Sequence, residues 1–90
     1  MAKIVRCASA GTLESSDVYV EIEPNEEGLE IQVESLVLRQ YGDRIRQAVR
    51  ETVEACGVET ALVRVSDRGA LECVIRARVE TAVLRGKECE

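Results

Sequence analysis

Asp17-Val18-Tyr19-Val20-Glu21-Ile22-Glu23 decides the fold class, because its apolar and polar residues alternate with a period of two. This period is typical of a strand with one buried and one solvent-facing side. The alternation resumes at residues 29–34, after Pro24-Asn25-Glu26-Glu27-Gly28, where proline and glycine favour a reversal of the chain. The two runs together predict an antiparallel hairpin with one apolar and one acidic face.

A helical period replaces the alternation from about Leu36. Apolar residues then recur at steps of three and four as far as Cys56, while arginine and glutamate residues take the other side. The pattern predicts an amphipathic helix of about five turns. We expect it to pack on the apolar face of the sheet and to end at Gly57, since glycine favours the left-handed conformation that closes many helices.

Two further strands are predicted after this helix. Ala61-Leu62-Val63-Arg64-Val65-Ser66 is a short β-prone run that a glycine turn follows. Residues 71–80 fit a strand or a helix, because their apolar residues alternate and also form a helical stripe. The β-branched residues and the preceding turn favour a strand to about Glu80, with a short helix after it.

The predicted fold is therefore α+β: a small antiparallel sheet in the order β-β-α-β-β, with one amphipathic helix on one face and a short C-terminal helix. Residues 4–8 are predicted as an additional N-terminal edge strand. Ninety residues provide for one hydrophobic core, so residues 1–90 are predicted as a single domain. Within it we expect residues 1–16 to form a loop or edge strand, and residues 86–90 to form a frayed tail.

The composition argues against several classes of function. The chain has no histidine, so it lacks the usual general base and the commonest metal ligand, and neither a self-contained catalytic site nor a zinc site is expected. No apolar run approaches the ~20 residues that span a membrane. Four cysteines form no C-x-x-C pair and no signal peptide precedes them, so we expect reduced thiols in a cytoplasmic protein: Cys7, Cys56, Cys73 and Cys89.

Acidic residues are concentrated in the first part of the chain. Residues 1–38 hold eight acidic and two basic residues, and the whole chain has no Phe or Trp on which bases could stack, so nucleic-acid binding is not expected. We interpret Glu14, Asp17, Glu26 and Glu27 as an exposed patch that steers the chain to basic surfaces of its partners. Three later arginines are expected to pair with acidic residues of the hairpin if they lie in the same sheet: Arg64, Arg76 and Arg78. For Arg76 and Arg78, a surface that faces a partner subunit is the alternative.

Ser15 and Ser16 are candidates for covalent modification, because they lie in a loop of small and polar residues before the first clear strand. The same pattern is also typical of an ordinary loop, in which the hydroxyls only bond the local backbone. Neither neighbouring carboxylate, Glu14 or Asp17, is an efficient base for a serine at neutral pH. Any modification would therefore be carried out by another enzyme.

Three segments resemble the acyl carrier (gamma) subunits of citrate lyases. The first, Ala10-Gly11-Thr12-Leu13-Glu14-Ser15-Ser16-Asp17-Val18, is similar to the motif to which that family attaches its prosthetic group. The others are residues 40–45 and residues 67–80, in the same order and at compatible spacing, so that the resemblance covers essentially the whole chain. It implies an acyl carrier subunit of a lyase complex that is not itself a catalyst.

The resemblance also implies the site, the cofactor and the partners. Ser15 would carry a covalently attached 2'-(5''-phosphoribosyl)-3'-dephospho-coenzyme A, whose thiol holds the acyl group as a thioester. The family often has glycine after the modified serine, where this chain has Ser16, so Ser16 is a second, less favoured candidate. A prosthetic-group transferase would attach the arm. The alpha (acyl transferase) subunit would then exchange acetyl for citryl with release of acetate, and the beta (citryl lyase) subunit would cleave citryl to oxaloacetate.

Two other functions stay open from the sequence. The chain could serve as the acyl carrier subunit of a related complex such as malonate decarboxylase, although the blocks Thr12-Leu13-Glu14-Ser15 and Gly69-Ala70-Leu71-Glu72 favour citrate lyase. It could also be a structural or interaction module that is never modified. A conventional four-helix acyl carrier is disfavoured, because its serine begins an apolar helix whereas Ser15 precedes an alternating strand.

Overall fold

The computed structural model describes residues 3–35 and 38–87. In that part of the chain, four strands and two helices follow one another as β1 (Ala8–Gly11), β2 (Val18–Glu23), β3 (Leu29–Ser35), α1 (Leu38–Ala55), β4 (Ala61–Asp67) and α2 (Glu72–Gly86). The predicted α+β class, a small sheet with helices, is confirmed.

The sheet has the strand order β1-β2-β4-β3 and is mixed rather than antiparallel. β2 is antiparallel to both β1 and β4, whereas β3 runs parallel to β4. The predicted hairpin is therefore wrong, because β4 lies between β2 and β3 and places Val65 opposite both Val20 and Val33. Alternation shows which side of a strand is buried but not which strand lies beside it. Because the chain crosses over through α1 after β3, β4 runs parallel to β3 and takes the position between β2 and β3.

Both helices cover the same face of the sheet. α2 packs over β1 and β2, α1 packs over β3, and the two helices also contact each other. The opposite face is partly or fully exposed and carries the polar side chains of β2 and β4. The largest fully buried apolar side chains lie between sheet and helices: Ile4, Val18, Val20, Ile22, Val49, Val53, Val58, Val63, Val65, Val79 and Val83.

Residues 72–86 form a single helix, so the predicted strand to Glu80 and the short helix after it are wrong. The buried residues of α2 recur at helical spacing and form one stripe: Ile75, Val79, Ala82, Val83 and Gly86. Leu71, which the strand pattern placed on the buried side, is 71% exposed. Burial of the helical stripe on β1 and β2 outweighs the strand propensity of its β-branched residues, because propensity is a weak preference that packing overrides.

The N-terminal edge strand exists but lies further along the chain than predicted. β1 begins at Ala8, and the earlier Ile4 forms only an isolated bridge to Lys87. Gly86 is buried at the end of α2, and its carbonyl accepts hydrogen bonds from the N–H groups of Val5 and Arg6 at 2.9 and 3.3 Å. Gly86 therefore belongs to the fold rather than to a tail, and residues 88–90 lie outside the described residues.

α1, predicted from about Leu36 to Gly57, runs from Leu38 to Ala55. Gly57 follows the helix with a φ of 79°, and its N–H donates to the Glu54 carbonyl at 2.9 Å. This is the left-handed cap that the glycine predicted. Neither helix in the described ranges is long and apolar enough to cross a membrane.

Candidate functional site

The connection between β1 and β2 is a tight turn with two serines at its tip. The Asp17 N–H donates to the Glu14 carbonyl at 3.1 Å, which closes a four-residue turn around Ser15 and Ser16. Both serines are exposed. Neither hydroxyl makes a hydrogen bond to another described residue. The turn therefore presents two free hydroxyls to solvent.

The two serines differ in backbone conformation. Ser16 has a φ of 66° and is the one non-glycine residue of the described chain with a positive φ. A positive φ at the third position of a turn favours glycine, since other residues bring Cβ too close to the backbone. Ser15, the residue before it, has no such backbone constraint.

Asp17 anchors the turn through its carboxylate. Thr12 Oγ1 donates to Oδ2 at 2.7 Å, the Val18 N–H donates to Oδ1 at 2.8 Å, and Arg78 Nε donates to Oδ1 at 3.2 Å. The bonds from Thr12 and Val18 hold the pKa of Asp17 below its ordinary value of 3.8, and Arg78 adds to this effect, although partial burial acts in the opposite direction. Such a carboxylate fixes the loop and does not serve as a base for Ser15.

The predicted pairing of the arginines with the hairpin within one sheet holds for one of the three. Arg64 Nη1 lies 3.2 Å from a carboxylate oxygen of Glu23 on the exposed face of the sheet. Arg76 and Arg78 lie on α2, contrary to their predicted place on a strand. Arg76 instead joins the two helices, with Nη2 at 2.8 Å from Glu51 Oε1.

Gly11 determines how the chain enters the turn. Its φ is 89°, and a Cβ added there would lie 1.8 Å from the carbonyl oxygen of Val18. No side chain can occupy that space, so the end of β1 approaches β2 closely only because residue 11 is glycine. Gly11 is part of the motif around Ser15, but the sequence alone did not show why this position must be glycine.

Backbone hydrogen bonds connect the serine turn to the segment that follows β4. The Ser16 N–H donates to the Arg68 carbonyl at 2.8 Å, and the Arg68 N–H donates to the Asp17 carbonyl at 2.9 Å. The turn is therefore held on one side by α2, through Arg78, and on the other by the connection between β4 and α2.

Asp67 organises the same end of the sheet. It is buried at the end of β4, and its carboxylate accepts hydrogen bonds from Ser35 Oγ at 2.8 Å and from the Ala70 N–H at 2.9 Å. Asp67 thereby ties the end of β3 to the start of the connection between β4 and α2.

The predicted acidic patch is wrong, because its four residues lie apart. Glu26 and Glu27 follow the C-terminal end of β2, whereas Glu14 precedes its N-terminal end. At about 3.3 Å per residue, the six residues of β2 separate the two ends by roughly 20 Å. Asp17 is 16% exposed and paired with Arg78. Of the four, only Glu14 is an exposed acidic residue at the serine turn.

Other candidate chemistry is sparse in the described ranges. Cys7, Cys56 and Cys73 are free thiols, and Cys89 lies outside those ranges. Burial raises the pKa of the Cys56 thiol. No group of three or more Cys, Asp or Glu side chains is arranged there to hold a metal ion.

Comparison with known proteins supports the resemblance to acyl carrier subunits. The family model of the malonate decarboxylase delta subunit (MdcD) matches residues 5–86. Citrate lyase acyl carrier protein 2 of Salmonella paratyphi A is 56% identical over 87 residues, which cover 96% of this chain and 90% of the relative. The citrate lyase acyl carrier protein of an Enterobacter species is 56% identical over 86 residues, covering 96% and 89%.

A solved structure shows the same fold. A chain of the Pseudomonas malonate decarboxylase hetero-tetramer, crystallised in complex with malonate, superimposes with a TM-score of 0.77. The match covers 94% of this chain and 93% of that one, at 24% sequence identity.

Proposed function

Because the chain belongs to the citrate lyase acyl carrier protein family, we propose that it carries acyl groups on a prosthetic arm attached to Ser15. Members of this family are carrier subunits and not catalysts. The observation that supports the site is the Ser15 hydroxyl itself, which is exposed and free of hydrogen bonds at the tip of an anchored turn.

The turn fits a large covalent substituent. A group on Ser15 Oγ extends into solvent and displaces no packed side chain, because the residues at the tip of the turn are all exposed. Asp17, Thr12 and Arg78 hold the base of the turn, so the attachment point is presented in one position. A fixed and accessible hydroxyl is what a modifying enzyme needs in order to recognise it.

We propose 2'-(5''-phosphoribosyl)-3'-dephospho-coenzyme A as the group on Ser15. When bound, it supplies a terminal thiol that holds acetyl or citryl as a thioester. Ser15 holds the arm on the protein, so that the cargo reaches each partner's active site at an effective concentration in the ~mM range. The chain contributes delivery and docking, and the bond-making steps take place on its partners.

The partners of this function are the alpha (acyl transferase) and beta (citryl lyase) subunits, with a prosthetic-group transferase that acts once on each chain. Together they convert citrate to acetate and oxaloacetate in the cytoplasm. The identity of 56% to proteins named for citrate lyase supports this choice. The family model named for malonate decarboxylase supports the second candidate, a carrier for malonyl and acetyl groups.

Intact-mass measurement tests the carrier function. The chain is produced with its prosthetic-group transferase, beside Ser15→Ala and Ser16→Gly variants. We expect the wild type and Ser16→Gly to gain the mass of the arm, and Ser15→Ala to stay at the mass of the bare chain. An unmodified wild-type chain would instead support a structural module.

Acyl exchange distinguishes the two complexes. The acetylated holo-protein is mixed with the alpha subunit of citrate lyase and citrate, or with the acyl transferase of malonate decarboxylase and malonate. We expect the mass increase from acetyl to citryl in the first mixture only. Exchange with malonate alone would assign the chain to the malonate complex.

A further inference from the structure

A cleft of about 610 Å³ opens between the N-terminal halves of α1 and α2. Two of its apolar residues are exposed to solvent, Tyr41 to 46% and Leu71 to 71%. Apolar side chains form most of its wall: Tyr41, Ile45, Ala48, Ala70, Leu71 and Ile75.

The cleft lies beside the serine turn. Arg68, whose carbonyl accepts the Ser16 N–H at 2.8 Å, directly precedes Gly69 and Ala70 in the wall of the cleft. Because consecutive Cα atoms are 3.8 Å apart, Ser15 lies within about 15 Å of Ala70. An arm built from phosphoribosyl, nucleotide and pantetheine units is longer than this separation.

Among the charged residues that line the cleft, one is without an ion-pair or hydrogen-bond partner in the described part of the chain. The Asp67 carboxylate is satisfied by its bonds from Ser35 and Ala70, and Glu72 is paired with Arg76 at 3.3 Å. Arg44 is exposed at the cleft and makes no ion pair or hydrogen bond with any described residue. Arg44 can therefore bind a carboxylate that arrives from outside.

We propose that this cleft is the resting site of the acyl-bearing end of the arm on Ser15, an inference that rests on the proposed function. The pantetheine chain lies against the apolar wall, and carboxylates of a citryl cargo bind Arg44. The tether makes such binding effective, because at a local concentration in the ~mM range a site with a Kd of about 1 mM is half occupied. Between visits to the partners, the thioester is then partly shielded from water.

Methyl NMR on the apo- and holo-protein tests this inference, after the intact mass has established that the arm is present. We expect attachment of the arm to shift the methyl signals of Ala48, Ala70 and Ile75, which line the cleft. The methyl signals of Leu62, on the uncovered face of the sheet, serve as the control and should not move.

Variants in the cleft make the test specific. Ala70→Leu, which fills the cleft, should abolish the shifts at Ala48 and Ile75. Leu71→Ser, at an exposed position, should reduce these shifts, and it is the variant to use if Ala70→Leu does not fold. In the citryl form, Arg44→Gln should remove the additional shifts that the cargo causes, whereas Arg50→Gln on the same helix should not.

The outcomes separate this inference from the proposed function. If the arm is present on the wild type but the methyl signals of the cleft do not move, or if they move equally in Ala70→Leu and Leu71→Ser, the cleft is not its resting site and the carrier function stands. If the mass shows no arm, the proposed function and this inference both fail.

Discussion

Asp17 and Arg78 are 61 residues apart in sequence, yet Arg78 Nε donates to Asp17 Oδ1 at 3.2 Å. The pair joins the base of the serine turn to α2. The turn is therefore not an independent loop, since its position depends on a helix formed at the other end of the chain.

Removing the Asp17–Arg78 pair should slow modification of Ser15. Arg78→Gln and Asp17→Asn each free one side of the turn, and we expect a several-fold lower initial rate of arm attachment, followed by intact mass. The double variant should be little slower than Asp17→Asn alone, because Asp17→Asn already disrupts the contact with Arg78. Arg64→Gln, which breaks an ion pair on the uncovered face, is the control. An equal loss in Arg64→Gln would show that the Asp17–Arg78 pair has no special role.

Stability at acidic pH should depend on Asp17. Its pKa is lowered in the folded state, so its contribution to the free energy of unfolding is complete above the unfolded value of about 3.8. That contribution is lost as the pH falls further, through the lower folded pKa. Denaturant unfolding should therefore give a higher free energy of unfolding for the wild type than for Asp17→Asn at pH 7. The difference between the two should shrink below about pH 4. A difference that stays constant down to pH 2 would contradict the assignment.

Gly11 and Gly28 both have a positive φ, but only at Gly11 would an added Cβ also meet another part of the chain. Gly28 has a φ of 106° and nothing within 4 Å of an added Cβ, so Gly28→Ala should cost about 1–2 kcal/mol. Gly11→Ala meets the Val18 carbonyl oxygen as well and should cost several kcal/mol more, or prevent folding. Denaturant unfolding of both variants measures the difference, and equal losses would contradict the close approach of β1 and β2.

The positive φ of Ser16 predicts opposite effects of two substitutions. Ser16→Gly removes the steric cost of a positive φ, which is about 1–2 kcal/mol. Glycine also makes the unfolded chain more flexible, which offsets part of this gain, so the free energy of unfolding should rise by up to about 1 kcal/mol. Ser16→Val places a β-branched side chain in the left-handed region and should lower stability. Thermal unfolding checks both. A loss of stability in Ser16→Gly would show that Ser16 does not hold a positive φ.

The sequence predicts elements better than their arrangement. The alternation in β2 and the helical period of α1 are local patterns, and both elements form where they were predicted. The pairing of β2 with β4 rather than β3 depends on the crossover through α1, which no local pattern contains. Residues 71–80 satisfied two periods at once, and only the need to cover β1 and β2 selects the helix.

The site shows the same division. The motif around Ser15 indicated the loop that holds both serines. It did not indicate that Ser16 has a positive φ, which only the structure shows. Asp17 was predicted to be an exposed charge for partners. Its actual role as an anchor depends on Arg78, which the strand prediction had placed elsewhere.

The most direct test of the carrier function is fragmentation mass spectrometry of the tryptic peptide that spans residues 7–39, taken from chain produced with its prosthetic-group transferase. No lysine or arginine interrupts that peptide before its last residue, so both serines lie in one fragment. We predict that the mass of the nucleotide arm is on Ser15, and that it is still on Ser15 in the Ser16→Gly variant. An arm on Ser16, or a Ser15→Ala chain that is modified as fully as the wild type, would contradict the assignment.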